Sequence, residues 1–135
     1  MARVLVVEDN PANLKLITLL LTKADHTVLS AVDAETGLIS ARTEHPDLIL
    51  MDIQLPGMDG LAATALLKKD PRTAAIPVIA LTAMAMKEDQ AKSETAGCDG
   101  YIAKPLRHQE MYATVDALLA RAELRPEADP TARPT

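Results

Sequence analysis

Five times along this chain, a run of four to six mostly apolar residues stops at a polar one and gives way to a segment of helix length. The runs are Arg3-Val4-Leu5-Val6-Val7, His26-Thr27-Val28-Leu29-Ser30-Ala31, Asp47-Leu48-Ile49-Leu50-Met51-Asp52, Ile76-Pro77-Val78-Ile79-Ala80-Leu81 and Gly100-Tyr101-Ile102-Ala103. The third is apolar without alternation, as suits a strand covered on both faces. Strands that each lead into a helix require right-handed crossovers, so the pattern predicts an α/β fold with a doubly wound, five-stranded parallel sheet, (βα)5.

Local signals set the boundaries. Asn10 is the N-cap of a helix with Pro11 at its first position, and Leu14, Ile17, Thr18 and Leu21 form its inward stripe. Asp33 caps a second helix in which Leu38 and Ile39 face inward. Gly57 to Gly60 is a turn, followed by a helix from Leu61 to Lys69 that ends at Asp70-Pro71. Pro77 is tolerable only near a strand start. A polar helix from Lys87 to Thr95 stops at Gly97. The last helix, Arg107 to Arg121, buries Met111, Val115, Leu118 and Leu119. From Ala122 onward Pro126, Pro130 and Pro134 interrupt a segment with no apolar periodicity. The expectation is therefore one domain over 1–121 and a Pro-rich disordered tail or linker start over 122–135.

Composition removes several functions. Aromatic residues make up 1% of the chain, which leaves little for base stacking, and the net charge of −5 has the wrong sign for contact with nucleic-acid phosphates. No apolar run approaches the ~20 residues that span a bilayer, and no secretory signal is visible. Cys98 is the sole cysteine, so neither a disulfide framework nor a cysteine zinc site is available. A reducing, cytoplasmic setting is expected. His26, His45 and His108 are too scattered for metal-ligand spacing, and Cys98 reads as a small filler residue.

The strand ends carry the chemistry. In a parallel sheet, sites form beyond the carboxyl ends of the strands. Those ends hold Glu8-Asp9, Asp52, Thr82 and Lys104. Taken singly, each has an ordinary structural reading as a helix cap, a turn residue or a surface lysine. Together they bring three carboxylates, a hydroxyl and an ammonium to one rim. Two carboxylates 4 Å apart repel by about 4 kcal/mol at an effective dielectric of about 20, and a hard divalent cation such as Mg²⁺ relieves this. Asp52, ending the central strand, is the candidate nucleophile toward a phosphoryl group, with Lys104 offsetting charge on its oxygens. Thr82 is placed to hydrogen-bond a newly attached phosphoryl group. Tyr101 can then rotate into the vacated space, although an ordinary half-buried ring is the alternative. Met84 and Met86 are either core or part of an adaptable contact face.

These residues resemble the receiver domain of two-component response regulators, a CheY-like, flavodoxin-like fold. The likeness rests on Val6-Val7-Glu8-Asp9-Asn10, Pro46-Asp47-Leu48-Ile49-Leu50-Met51-Asp52, Leu55-Pro56-Gly57-Met58-Asp59-Gly60, Ile79-Ala80-Leu81-Thr82-Ala83 and Gly100-Tyr101-Ile102-Ala103-Lys104-Pro105, and covers residues 2 to 121. It implies that Asp52 takes phosphate from a histidine kinase and that Asp9 ligates Mg²⁺ directly, with Glu8 acting mainly through water. It further implies that the Gln54 backbone carbonyl completes the metal shell, that Thr82 and Tyr101 switch, and that Lys104 contacts the phosphoryl group. No position departs from that pattern. Within the family, Glu8-Asp9-Asn10, Asn13-Leu14-Lys15-Leu16 and Thr82-Ala83-Met84-Ala85-Met86 resemble single-domain regulators of the DivK type and receivers of hybrid histidine kinases alike.

The expected partners are a sensor histidine kinase or phosphotransfer protein and a downstream protein, with no direct DNA binding and no membrane insertion. The chain acts as a monomer or a phosphorylation-dependent dimer, alone or as the receiver piece of a larger regulator. No enzymatic turnover is expected beyond its own phosphorylation and dephosphorylation. An aspartyl-phosphate phosphatase of the haloacid dehalogenase type needs an acid/base two residues after the nucleophile, where Gln54 stands. Dinucleotide binding fails because Glu8-Asp9-Asn10-Pro11 replaces a Gly-rich loop.

Overall fold

A computed structural model describes residues 2–55, 57–82 and 87–124. Pro56, Met84, Met86 and the tail prolines, with the expectations attached to them, lie outside the described residues. The elements in order are β1 (Arg3–Val7), α1 (Pro11–Lys23), β2 (Thr27–Ala31), α2 (Ala34–Glu44), β3 (Leu48–Asp52), α3 (Gly60–Lys69), β4 (Val78–Thr82), α4 (Lys87–Ala96), β5 (Gly100–Ala103) and α5 (His108–Leu124). All strand pairs are parallel, in the order β2-β1-β3-β4-β5.

Burial follows the two-residue period of a pleated strand on both faces at once. Val4, Val6, Leu48, Leu50, Ile79 and Leu81 point toward α1 and α5, where they meet Ile17, Leu21, Met111 and Val115. Leu5, Val7, Ile49, Met51 and Val78 point the other way and pack with Leu38, Ala41, Ala63 and Leu67 of α2 and α3. Every residue of β3 is buried, which accounts for its unbroken apolar run.

The helix starts follow their caps. Asn10 accepts hydrogen bonds from the amides of Ala12 and Asn13, Asp33 from that of Thr36, and Asp59 from that of Ala62. Gly97, at φ 104°, supplies the left-handed residue beyond α4. Several sequence expectations shift. Ile39 does not face inward: it is 59% exposed, because α2 turns Ala34, Gly37, Leu38 and Ala41 to the sheet. Those positions form one i, i+3, i+4, i+7 stripe, and Ile39 lies about 100° round from Leu38. In α1 the buried set is Ile17, Leu20 and Leu21, with Leu14 and Thr18 only half-buried. In α5 Leu119 is likewise half-buried, while Met111, Val115 and Leu118 are buried. β4 begins at Val78, directly after Pro77, whose carbonyl accepts the Ile49 amide at 2.9 Å, so the proline precedes the strand as expected. The last helix starts at His108 and runs on to Leu124. Among the described residues no helix is long and apolar enough to cross a membrane.

Strand order reverses at β1, which lies between β2 and β3. The helices flanking such a reversal leave opposite faces of the sheet, opening a crevice beyond the carboxyl ends of β1 and β3.

Candidate functional site

Glu8 follows β1 and is held by its own amide, which donates to the Ala31 carbonyl at 3.0 Å. Asp52 is the last residue of β3, and its Oδ1 accepts the Gln54 amide at 2.9 Å. Lys104 follows β5; its amide donates to the Thr82 carbonyl at 2.7 Å, and the Lys104–Pro105 peptide is cis. The lysine side chain crosses the rim to place Nζ 3.0 Å from Asp52 Oδ2 and 3.1 Å from Glu8 Oε1. Glu8, Asp9 and Asp52 each bring one carboxylate oxygen within 4.8 Å of the others. Glu8 and Asp52 are buried and Asp9 is exposed, so the cluster opens to solvent on the Asp9 side.

Burial pushes the Glu8 carboxyl up to about 7, the Asp52 carboxylate adds to the rise, and the Asn10 amide and Lys104 only partly oppose it. For Asp52 burial also acts upward. Hydrogen bonds from Glu8, the Gln54 amide and Lys104 outweigh it, holding this carboxyl below its ordinary range. Burial alone would lower Lys104, but the two carboxylates raise it. Glu8 is thus the more basic carboxyl of the pair and Asp52 the more acidic. With all three carboxyl groups ionised, one ammonium faces three negative charges. Glu8 Oε1, fully buried, has Lys104 nearby yet accepts no well-directed hydrogen bond, so it retains lone pairs without a partner. An all-oxygen, net-negative set with an open side fits a hard divalent cation better than a soft metal.

The family model for the response regulator receiver domain matches residues 4–116. The chain belongs to the response regulator receiver family. Protein PilH of Pseudomonas aeruginosa is 40% identical over 120 residues, covering 89% of this chain and 99% of PilH. The polar-differentiation response regulator DivK of Brucella ovis is 42% identical over 119 residues, covering 88% of this chain and 97% of DivK. Among solved structures, the receiver domain of the Pseudomonas aeruginosa sensor histidine kinase PA1611 superposes with a TM-score of 0.82 at 33% identity, covering 88% of this chain and 98% of that one. That crystal structure has a magnesium ion coordinated in its active site cleft. The receiver described here is therefore a two-component signalling domain.

Of the residues singled out from its sequence, the receiver brings Glu8, Asp9, Asp52 and Lys104 into one cluster. Thr82 stands beside them, buried at the end of the neighbouring strand, where Leu81 pairs with Asp52. Tyr101 lies further back on edge strand β5, opposite Ala80, with its side chain partly in solvent. Gln54 is exposed and meets Asp52 through its amide. Two contributors were not legible as such. The Asn10 amide donates to Glu8 Oε2 at 3.2 Å, a backbone contact that neither its cap role nor the stretch from Val6 to Asn10 specifies. Gly60, read as a turn residue, opens α3 hard against the Asp52–Ile53 peptide. Its sequence signals are the Asp-Gly pair ahead of an apolar helix and its place in the stretch from Leu55 to Gly60, and neither specifies this contact. Cys98 is half-buried, and burial pushes its thiol up, with Sγ 3.9 Å from Thr64 Oγ1.

Proposed function

We propose that this receiver is a Mg²⁺-dependent phosphoryl acceptor, taking a phosphoryl group onto Asp52 from a phosphohistidine of a sensor histidine kinase or phosphotransfer protein. The observation that carries this reading is the Asp52 carboxylate: buried, ionised, at the end of the central strand, with an ammonium 3.0 Å away. An Asp52 oxygen forms the new O–P bond as the N–P bond of the phosphohistidine breaks, and the electron pair stays on the imidazole nitrogen. Lys104 neutralises the phosphoryl oxygens during transfer. Glu8, Asp9, Asp52 and the Gln54 backbone carbonyl are the residues that would hold Mg²⁺, which when bound supplies further charge neutralisation.

The product adds negative charge and acceptor oxygens at the rim where Thr82 ends the neighbouring strand. Engagement of Thr82, followed by rotation of Tyr101 from its partly exposed position, alters the surface presented to a downstream protein. The same reading holds for a receiver acting alone or within a longer regulator.

Incubation with acetyl phosphate and Mg²⁺, followed by intact-mass measurement, should add one phosphoryl group to the native chain and none to Asp52→Asn. Lys104→Ala should slow the transfer by about a hundredfold, the loss usual when one preorganised charge partner is removed. Stable labelling of an Asp52→Ala chain by a kinase would overturn the assignment of the acceptor.

A further inference from the structure

The glycine at the start of α3 has a φ that any residue adopts, so conformational freedom does not explain it; space does. A β-carbon at Gly60 would lie 2.1 Å from the Asp52 carbonyl oxygen, 2.7 Å from Ile53 Cα and 2.8 Å from the Asp52 carbonyl carbon. All three atoms are backbone and cannot swing away as a side chain would. The Gly60 amide also donates to the Ile53 carbonyl at 3.3 Å. Behind it, fully buried Thr64 donates its hydroxyl to the Gly60 carbonyl at 2.8 Å, and Asp59 caps the same helical turn through the Ala62 amide. The first turn of α3 is thus a fixed block. The peptides it touches are those that carry the Asp52 carboxylate and lead to the Gln54 amide bonded to it.

We propose that Gly60 is a positioning residue for the acceptor: its missing side chain lets α3 seat against residues 52–53 and so sets the Gln54 backbone beneath Asp52. The inference rests on the phosphoacceptor reading above, but its primary observable does not require Mg²⁺. A methyl group at this position must displace the 52–54 backbone or the start of the helix, whichever yields first.

Gly60→Ala, Gly57→Ala and the native chain are compared by hydrogen exchange of the Gln54 amide without metal and by calorimetric titration with Mg²⁺. Gly57 is the control. It also occupies the loop and has φ +74°, but a β-carbon there meets nothing nearer than Glu35 Oε1 at 3.9 Å. Gly60→Ala should speed Gln54 exchange and weaken Mg²⁺ binding by about tenfold or more, the usual range for groups that orient metal ligands. Gly57→Ala should leave both near native values even if it lowers the unfolding midpoint. If Gly60→Ala folds and retains native exchange and affinity, the proposal is overturned.

Should Gly60→Ala not fold, Asp59→Ala and Asp59→Asn decide, since only the former removes the cap that holds the turn. Faster Gln54 exchange in the alanine variant alone supports the block, and equal exchange in the two overturns it. A native chain that binds no Mg²⁺ while Gly60→Ala still disturbs Gln54 would sink the metal-dependent function and leave the positioning role standing.

Discussion

Among the described residues, Glu8 is a carboxyl whose charge burial strongly disfavours. It is wholly buried, its nearest cation is shared with Asp52, and burial raises its carboxyl from 4.5 to about 7. The native state therefore binds a proton more tightly than the unfolded chain between those two values. Stability from this group is greatest at the acidic end and declines as pH rises through about 4.5 to 7. Asp52 acts in the opposite sense, in a separate window. Its carboxyl is depressed, so its contribution is present above 3.8 and is lost only as pH falls below that. In metal-free buffer, chemical denaturation of the native chain should show stability falling by up to ~3 kcal/mol across the Glu8 window, and Glu8→Gln should flatten that decline. Saturating Mg²⁺ should flatten it too, since the cation favours the ionised form. An identical slope in Glu8→Gln would show that another group titrates.

At the scale of elements, the fold is pinned away from the rim by Lys68. Its Nζ, on α3, donates to the Ile76 carbonyl at 2.8 Å, to the Ala74 carbonyl at 3.3 Å and to Asp99 Oδ2 at 2.9 Å. The same Asp99 oxygen accepts the Val78 amide at 2.9 Å, so one ion pair ties α3, the start of β4 and the segment between α4 and β5. Both side chains are only about a fifth exposed, so water replaces these bonds poorly. Lys68→Met keeps the aliphatic stem but strips a partner from two carbonyls and a carboxylate. It should cost about 1–3 kcal/mol by urea denaturation, whereas a fully exposed pair gives less than 1. Nothing local in the sequence announces this tie, because Lys68 and Asp99 stand 31 residues apart. Ile39 misleads for a related reason. The periodicity of α2 is carried largely by Ala34, Gly37 and Ala41, and small residues give a weak apolar signal beside an isoleucine.

For the whole molecule, the cation site proposed at the ends of β1 and β3 would link metal binding to global stability. A cation that binds only the native state adds about 2.7 kcal/mol at a hundred times its dissociation constant. The thermal midpoint should thus climb with Mg²⁺, return with EDTA, and respond far less in Asp9→Ala; an equal response there would remove Asp9 from the ligand set. The order of elements, the doubly covered third strand and the caps Asn10 and Asp33 were legible because each is written in adjacent residues, as apolar runs, periodicity and capping side chains. The same holds for which residues stand at strand ends, since a carboxylate that stops an apolar run stops it in any parallel sheet. The strand order, the reach of Lys104 to both Glu8 and Asp52, the exposure of Tyr101 and the seat of Gly60 were decided by tertiary structure alone. These depend on distances between residues far apart in the chain, set by how helices pack on a twisted sheet, and no local pattern encodes a through-space distance.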